Sequence, residues 1–537
     1  MNFRLSFKCF SLSFALIFGI VFVLAGTLAM ILVPKFVKKA IYEQAHLGKD
    51  ANGTDNLMLK MFRDPPYDIK LQVWTFSVEN PTDVLKNGSK PYLTEKGPYS
   101  FRVRLHKTDT AFLSNGTRFR FRNRRSFFFV PSLSCAECRL SDRVTVPNIL
   151  FQKIVEITQK GPKWTPFIEM IVKGRENVFI SVSVDELLFN GYQDPLISEI
   201  CSNVLFKMMC KLANIPDRIG LFYGQNNTDD GQYAVDTGLN DPDFLDRVYS
   251  FKGIEGKLSD DHWYGERARM INGTDAELFG PNLMDAPKLQ IFIGQLCRSF
   301  DLEVRQPALT AGLPVFRYAQ PDSALDIAVQ RSQGFCNPNS PLFFNESVQP
   351  VGCAPSGLLD MSSCFPGSPP IFFSASHFRN AHAALRHSLA GNFSSPTDSD
   401  DLSFFDIEPI VGAVVGVQQR YQLNLGMQRG NFRMTKNMSN LVVPMVWLNE
   451  SALIDSATRA QISRPVTALW GTFVVGIVFV CAGVVFLVTF VGVFIANKMT
   501  NRSCPNDSLN LIADPPTEGD PTEAQPLAAA DQLTTDQ

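Results

Sequence analysis

FSLSFALIFGIVFVLAGTLAMILV at residues 10–33 and ALWGTFVVGIVFVCAGVVFLVTFVGVFIAN at residues 468–497 decide the architecture of this chain. Neither stretch contains a charged side chain, and each exceeds the roughly 20 residues a helix needs to cross about 30 Å of hydrocarbon. Between them, residues 34–467 hold nine Asn-x-Ser/Thr sequons, at Asn52, Asn87, Asn115, Asn226, Asn272, Asn345, Asn392, Asn437 and Asn449. The same segment holds eight of the eleven cysteines. Glycan acceptors and cysteines at that density belong in an oxidising, extracytoplasmic compartment. The expected organisation is therefore a cytosolic N-terminus (1–9), a transmembrane helix (10–33), a glycosylated ectodomain (34–467), a second transmembrane helix (468–497) and a disordered cytosolic tail (498–537).

At 537 residues and 45% hydrophobic content the chain can bury a large core outside the two spans. A net charge of −2 argues against a nucleic-acid partner. Arg4, Lys8 and the small residues near Ala29 would also suit a signal peptide, but the apolar run is longer than the usual signal core of about 7–15 residues, which favours a retained anchor. Lys35, Lys38 and Lys39 after the first span conflict with the positive-inside rule, and the sequons and cysteines outweigh them. Ala25 and Ala29 offer a weak small-residue contact surface between helices. Without Asp, Glu, Lys or Arg in either span, nothing points to an ion path.

Residues 34–60 begin with a helical pattern, Pro34 at its start. From about residue 62 the texture changes to short alternating runs bounded by Pro, Gly and Asn, at Ile69–Trp74, Tyr99–Leu105, Val178–Val184, Leu289–Ile293 and Leu441–Leu448. These read as antiparallel strands. Alternation places Arg118, Arg120, Arg122 and Arg124 on one strand face and Phe119 and Phe121 on the other. The basic face is either a polyanion-binding stripe or a solvated surface over a Phe-lined core. Between 148 and 213 the period lengthens, predicting helices over Ile149–Ile157 (ending before Gly161-Pro162), over Phe167–Val172 (ending at Gly174) and over Leu196–Leu212.

The chain has no His-Glu-x-x-His, Gly-x-Ser-x-Gly, Walker or Rossmann motif, so an enzyme reading has no positive support, and no cofactor or metal is implied. His377, His382 and His387 recur at intervals of five, which walks round a helix rather than stacking on one face. Eight ectodomain cysteines permit 105 pairings. Cys201 and Cys210 would stand about 13 Å apart on one continuous helix, too far for a bridge. Cys135-x-x-Cys138 reads as a short bridge or a redox pair. Cys9 and Cys504, at the cytosolic membrane boundary, are candidates for S-palmitoylation.

Pro65-Pro66-Tyr67 leads to Asn80-Pro81, Val84-Leu85 and Glu95-Lys96-Gly97-Pro98-Tyr99. Gly220-Leu221-Phe222-Tyr223 with Asn226-Asn227-Thr228 follows, then Met270-Ile271-Asn272-Gly273-Thr274-Asp275 and Cys297-Arg298-Ser299. Gly312-Leu313-Pro314-Val315, Asp406-Ile407-Glu408-Pro409-Ile410 and Val443-Pro444-Met445-Val446-Trp447-Leu448-Asn449-Glu450-Ser451 complete the series. Any one of these is weak, but the ordered set, with both spans, resembles the class B scavenger receptor family. Its best-known members are a fatty-acid translocase, a high-density-lipoprotein receptor and a lysosomal integral membrane protein.

The resemblance implies an α+β membrane protein with a large antiparallel β-barrel-like ectodomain, an apical helical bundle at about 148–213 and an internal hydrophobic tunnel that conducts lipid. It also implies bridges Cys297–Cys364 and Cys336–Cys353, by corresponding family positions. Some relatives have a further cysteine where this chain has Ala268, and its partner is missing too. Cys135, Cys138, Cys201 and Cys210 fall outside the family pattern, and their state stays open. Lys173 and Arg175 match a basic pair with which some relatives capture anionic lipoproteins and fatty acids. The plainer reading of that pair is a solvated helix end whose cations complement the dipole.

Residues 498–537 carry two basic and seven acidic side chains and should be disordered. Within them Asp507, Leu511 and Ile512 form an acidic dileucine pattern of the kind clathrin adaptors read as an endosomal or lysosomal address. The leading expectation is a non-enzymatic receptor for lipids, lipoproteins or other polyanionic ligands, at the plasma membrane or the endosome-lysosome membrane, homo-oligomeric or not. A trafficking receptor that escorts a lysosomal hydrolase is the alternative within the same fold. A two-span ligand-gated channel subunit is the alternative from another class, and it would need polar pore-lining residues that these spans offer only as scattered Thr, Ser and Cys.

Overall fold

The computed structural model describes residues 2–499 apart from 203–206, 209–216, 339, 366, 393 and 398–400, with side chains from Ser13 onward. It divides into two compact units, one of residues 1–33 and 471–537, the other of residues 34–470. Helix α1 (Asn2–Gln44) carries the first apolar stretch, and the last helix (Ser456–Met499) carries the second. Both are long and apolar enough to cross a membrane. Each outruns its apolar stretch. Pro34, expected to start a helix, lies inside α1 and costs it one backbone hydrogen bond without ending it.

Within the first unit the two helices meet at glycine. A Cβ on Gly26 would lie 2.7 Å from the Gly476 carbonyl oxygen, and one on Gly483 would lie 2.8 Å from that of Gly19. Phe22 meets Phe479 and Phe486 edge-on at 5.2 and 5.9 Å. Of the two alanines expected at the contact, Ala25 is exposed and Ala29 half-buried, and the closest backbone approach is at Gly19 and Gly26. Only glycine lets two helix backbones approach this closely.

The second unit is built on one large antiparallel sheet. Its first strands are β1 (Tyr67–Val78), β2 (Tyr92–Leu113) and β3 (Arg118–Phe129). After the separate pair β4 (Arg143–Pro147) and β5 (Phe179–Ser183) come β6 (Thr228–Asp236), β7 (Val248–Phe251) and β8 (Ile254–Glu255). Next are β9 (Lys288–Ile293), β10 (Arg298–Thr310), β11 (Leu313–Ala319), β12 (Leu358–Asp360), β13 (Ile371–Ser374) and β14 (Ala390–Asn392). The set closes with β15 (Phe404–Glu408), β16 (Ala413–Met427) and β17 (Leu441–Ile454). The main ladder runs β8-β7-β6-β3-β2-β1-β17-β16-β15-β11-β10-β9, and β14 joins β2 in parallel. Every strand expected from the alternating runs is present.

Alternation decides the faces. Ile69, Leu71 and Val73 of β1 and Phe101, Val103 and Leu105 of β2 point into the core, while Arg102, Arg104 and His106 point out. Trp74 and Trp447 stand opposite each other across β1 and β17 and stack at 3.8 Å.

The expected barrel is not closed. The ladder ends at β8 and β9, and isolated bridges from Thr274 to Arg247 and to Ile291 link the region of β7 to β9. Gly273, at φ +92°, makes that link: a Cβ there would overlap the backbone of Gln290.

After the short helices α2 (Leu57–Arg63) and α3 (Pro81–Asn87), three helices follow the sequence reading in part. α4 (Ile149–Lys160) and α5 (Thr165–Val172) stand where expected, α4 capped by the Asn148 side chain accepting from Phe151 N. α6 (Pro195–Ser202) is described for only part of the expected 196–212 helix. Strand β5 lies inside the region expected to be helical. Phe151 of α4 packs on Phe432 at 5.6 Å, and Gln152 Oε1 accepts from Gln428 N at 2.8 Å, so the helical cluster rests on the loop after β16.

Candidate functional site

A cavity of about 610 Å³ opens inside the second unit. Ile69 and Leu71 of β1, Leu105 of β2, Leu302 of β10, Leu423 of β16 and Ala452 of β17 line it. These are inward positions of the period-2 pattern, so the repeat that builds the sheet also greases the cavity wall.

The wall is not uniformly apolar. Past Phe119 and Phe121 the inward positions of β3 become Asn123 and Arg125, and past Leu105 the next inward position of β2 is Lys107. Arg125 Nη1 donates to both carboxylate oxygens of Glu450 on β17, at 3.0 and 3.1 Å. Glu450 holds the Arg125 guanidinium charged, well above its ordinary range, against the opposing pull of burial.

Lys107 is fully buried beside the cavity. Its Nζ donates to Glu277 at 2.6 Å and to Asn123 at 3.0 Å, stands 3.7 Å from Asp275, and lies over the rings of Phe62 and Phe121 at 4.1 and 4.5 Å. Burial works against that ammonium, but Glu277 and Asp275 outweigh it and hold its pKa above the usual lysine value. Burial pushes the Glu277 carboxyl up to about 7, and burial with Asp275 raises Asp246 well above the ordinary carboxylate range. Asp230, also raised by burial, accepts from the Tyr233 hydroxyl at 3.0 Å and from Gln295 at 2.7 Å.

Sequence reasoning assigned none of these groups. The signal was present: Lys107 continues the buried series Phe101, Val103, Leu105, where a cation has no solvent to face. Asp275 and Glu450 fall inside motifs quoted for the resemblance.

The basic pair separates. Lys173 and Arg175 follow α5 and both are exposed, but the Arg175 guanidinium is bound to Glu199 of α6 at 2.6 and 3.0 Å and to the Ile171 carbonyl at 3.2 Å. The arginine stripe resolves toward the plainer reading. Arg120 and Arg122 bind Asp109, Arg122 also binds Asp229, and Arg118 covers the Tyr249 ring. The three histidines do not share one helix: His377 is buried against Asp401 at 2.7 Å, whereas His382 caps the short helix Ala383–His387, of which His387 is the last residue.

Cys336–Cys353 and Cys135–Cys138 are disulfides. Cys297 and Cys364, the other pair for which the resemblance implies a bridge, stand in contact but unbridged in the structure, and the hydrogen bond from Cys364, with His262 beside it, lowers the Cys297 thiol. Cys201 is disulfide-bonded. Cys210, Cys504, Asp507, Leu511 and Ile512 lie outside the described residues, as does the Cys9 side chain.

Asn52, Asn87, Asn115, Asn226, Asn345, Asn392 and Asn437 are exposed, and Asn272 is half-buried. Asn449 does not fit the expectation of an accessible sequon. It is 8% exposed in the middle of β17, between Gln72 and Arg420, and its Nδ2 donates to Gln72 at 3.3 Å, so the folded strand has no room for a glycan.

Among known proteins, the family model described as CD36 family matches residues 17–494. Lysosome membrane protein 2 of Rattus norvegicus is 29% identical over 492 residues, 89% of this chain and 94% of that protein. Scavenger receptor class B member 1 of Rattus norvegicus is 27% identical over 442 residues, 81% of this chain and 79% of that protein.

Proposed function

The chain belongs to the CD36 family, and on that premise we propose that it is a non-enzymatic membrane receptor that accepts lipid from lipoproteins or other carriers and passes it through the ectodomain to the bilayer. The observation that carries this reading is the cavity of about 610 Å³, walled by the inward faces of the sheet and large enough for a lipid-sized ligand. Each methylene removed from water there contributes about 0.8 kcal/mol, so chain burial supplies most of the affinity. Lys173 is the cation of the basic pair left to attract anionic particles, while Arg175 braces α5 against α6. In this reading both termini are cytosolic, residues 34–467 are glycosylated and extracytoplasmic, Cys297 and Cys364 close into a bridge, and Asp507, Leu511 and Ile512 direct the chain to endosomes or lysosomes.

The test is uptake of a fluorescent sterol ester by cells expressing the full chain. Leu71→Trp and Leu423→Trp, which fill the cavity, should each cut uptake about tenfold at equal surface expression. Unchanged uptake in both would place the lipid path elsewhere.

A second reading, escort of a lysosomal hydrolase, draws support from Phe167 and Met170 of α5, which are 54% and 64% exposed. Side chains of that size on an open helix face suit a protein partner. Co-precipitation of a lysosomal hydrolase that is lost in a Phe167→Ser/Met170→Ser variant, with lipid uptake intact, would favour it.

A further inference from the structure

The charge around the cavity does not balance. Asp230, Asp275, Glu277 and Glu450 border it with Arg125. Asp229, Asp322 and Asp401, which also border it, are bound by Arg122, Arg379 and His377. Behind the wall, Lys107 and Asp246 join Asp230, Asp275, Glu277, Glu450 and Arg125 in one cluster of five carboxylates and two cations. Three carboxylates therefore lack a counter-charge.

The hydrogen bonds show where the deficit sits. Glu450 is held by Arg125 at 3.0 Å and Glu277 by Lys107 at 2.6 Å. The Asp275 side chain is 4% exposed and is hydrogen-bonded to the Asp246 carboxyl, a contact between two acids that needs a shared proton; its nearest cation, Lys107 Nζ at 3.7 Å, already serves Glu277. Asp230 Oδ1 has no hydrogen-bond partner among the described residues. Arg125 Nε is a buried donor without an acceptor, although its charge is engaged by Glu450. Burial raises both Asp230 and Glu277, and Asp275 adds to the rise of Glu277 while Lys107 opposes it.

We propose that the cavity takes a single-chain lipid with a primary ammonium headgroup, seated against Asp230, Asp275 and Glu277, its chain along Leu71, Leu105 and Leu302. A long-chain amino alcohol fits best, because its hydroxyl oxygen also supplies the acceptor that Arg125 Nε lacks. A fatty-acid carboxylate adds a fourth uncompensated negative charge and is disfavoured at the same place. The inference rests on the lipid-holding role given to the cavity above, and it narrows the headgroup.

The test displaces a fluorescent neutral lipid from the full chain in zwitterionic nanodiscs with hexadecylamine, hexadecanol or hexadecanoate, three ligands that share a chain and differ in head. Hexadecylamine should displace the probe at about tenfold lower concentration than hexadecanoate, with hexadecanol between them. Asp230→Asn and Glu277→Gln should each shrink the amine-to-acid ratio about threefold or more, and hexadecanol reports in each variant whether the cavity has survived the change. Hexadecanoate binding as well as hexadecylamine, or a ratio unmoved in both variants, overturns the headgroup assignment. Displacement by hexadecanol without amine preference sinks that assignment alone. Failure of all three ligands on the wild-type chain sinks the lipid-cavity reading with it.

Discussion

Lys107 shows how one residue can carry both stability and selectivity. Its ammonium is the cation facing Glu277 and Asp275, with Asp246 close behind. Lys107→Met keeps the apolar stem but leaves those carboxylates without it. Breaking a buried pair from one side costs about 3–5 kcal/mol, and chemical denaturation should show a loss of that order. Lys107→Met combined with Glu277→Gln should recover part of it, since one fewer buried charge is orphaned. Asn449 makes a residue-level prediction of the opposite kind. Asn449→Gln should leave the glycosylated mass unchanged, whereas Asn345→Gln, at an exposed sequon, should lower it by one glycan on a denaturing gel.

At the scale of elements, the period of the sequence located nearly everything that packs. β1, the middle of β2 and the first half of β3 alternate so regularly that their inward faces follow from the residues alone, β17 is buried on both faces over residues 441–449, and α4 and α5 end where Gly161-Pro162 and Gly174 end them. Pairing across long separations was not legible. The Arg125–Glu450 contact joins residues 325 positions apart, and no local pattern reports it. The same holds for Arg175, whose tie to Glu199 depends on how α6 lies against α5. Arg175→Glu should therefore loosen the helical cluster, read as faster proteolysis there, while Lys173→Glu slows capture of anionic lipoprotein and leaves the cluster intact. The helix pair of the first unit makes a further prediction. Phe22→Cys with Phe479→Cys should cross-link on oxidation, because the parent rings lie 5.2 Å apart. Adding Gly476→Ile should abolish the cross-link by forcing the backbones apart.

For the whole molecule, several buried carboxyls and one histidine are displaced upward, while Asp401, Cys297 and Arg298 are displaced downward. Burial raises Glu277 to about 7, Glu176 to about 8 and Glu408 in the same direction. Asp401 and Glu95 raise His377 to about 9 although its burial opposes them. The groups facing Glu277 are Lys107, Arg125, Asp246, Asp275 and the Tyr67 phenol. Each folded value exceeds its unfolded one, so the stability these groups contribute is full below the unfolded pKa and falls as pH rises through the folded one. Asp142 and Asp322, held low by their partners, act oppositely and lose their contribution only as pH falls below the ordinary carboxylate range. Thermal unfolding should therefore occur at higher temperature at pH 5 than at pH 8, and Glu277→Gln should narrow that difference. The pairing of Tyr67 with Ile454, at the middle of the sheet, bears on biosynthesis. A ribosome adding about 5–20 residues per second needs roughly 20–80 s to pass from one to the other. Throughout that interval β1 waits with one edge bare, able to join β2 and not β17. A nascent chain of this design depends on whatever shields that edge, and a stop codon before residue 441 yields no partial receptor, because the strand that completes the centre is the last one made.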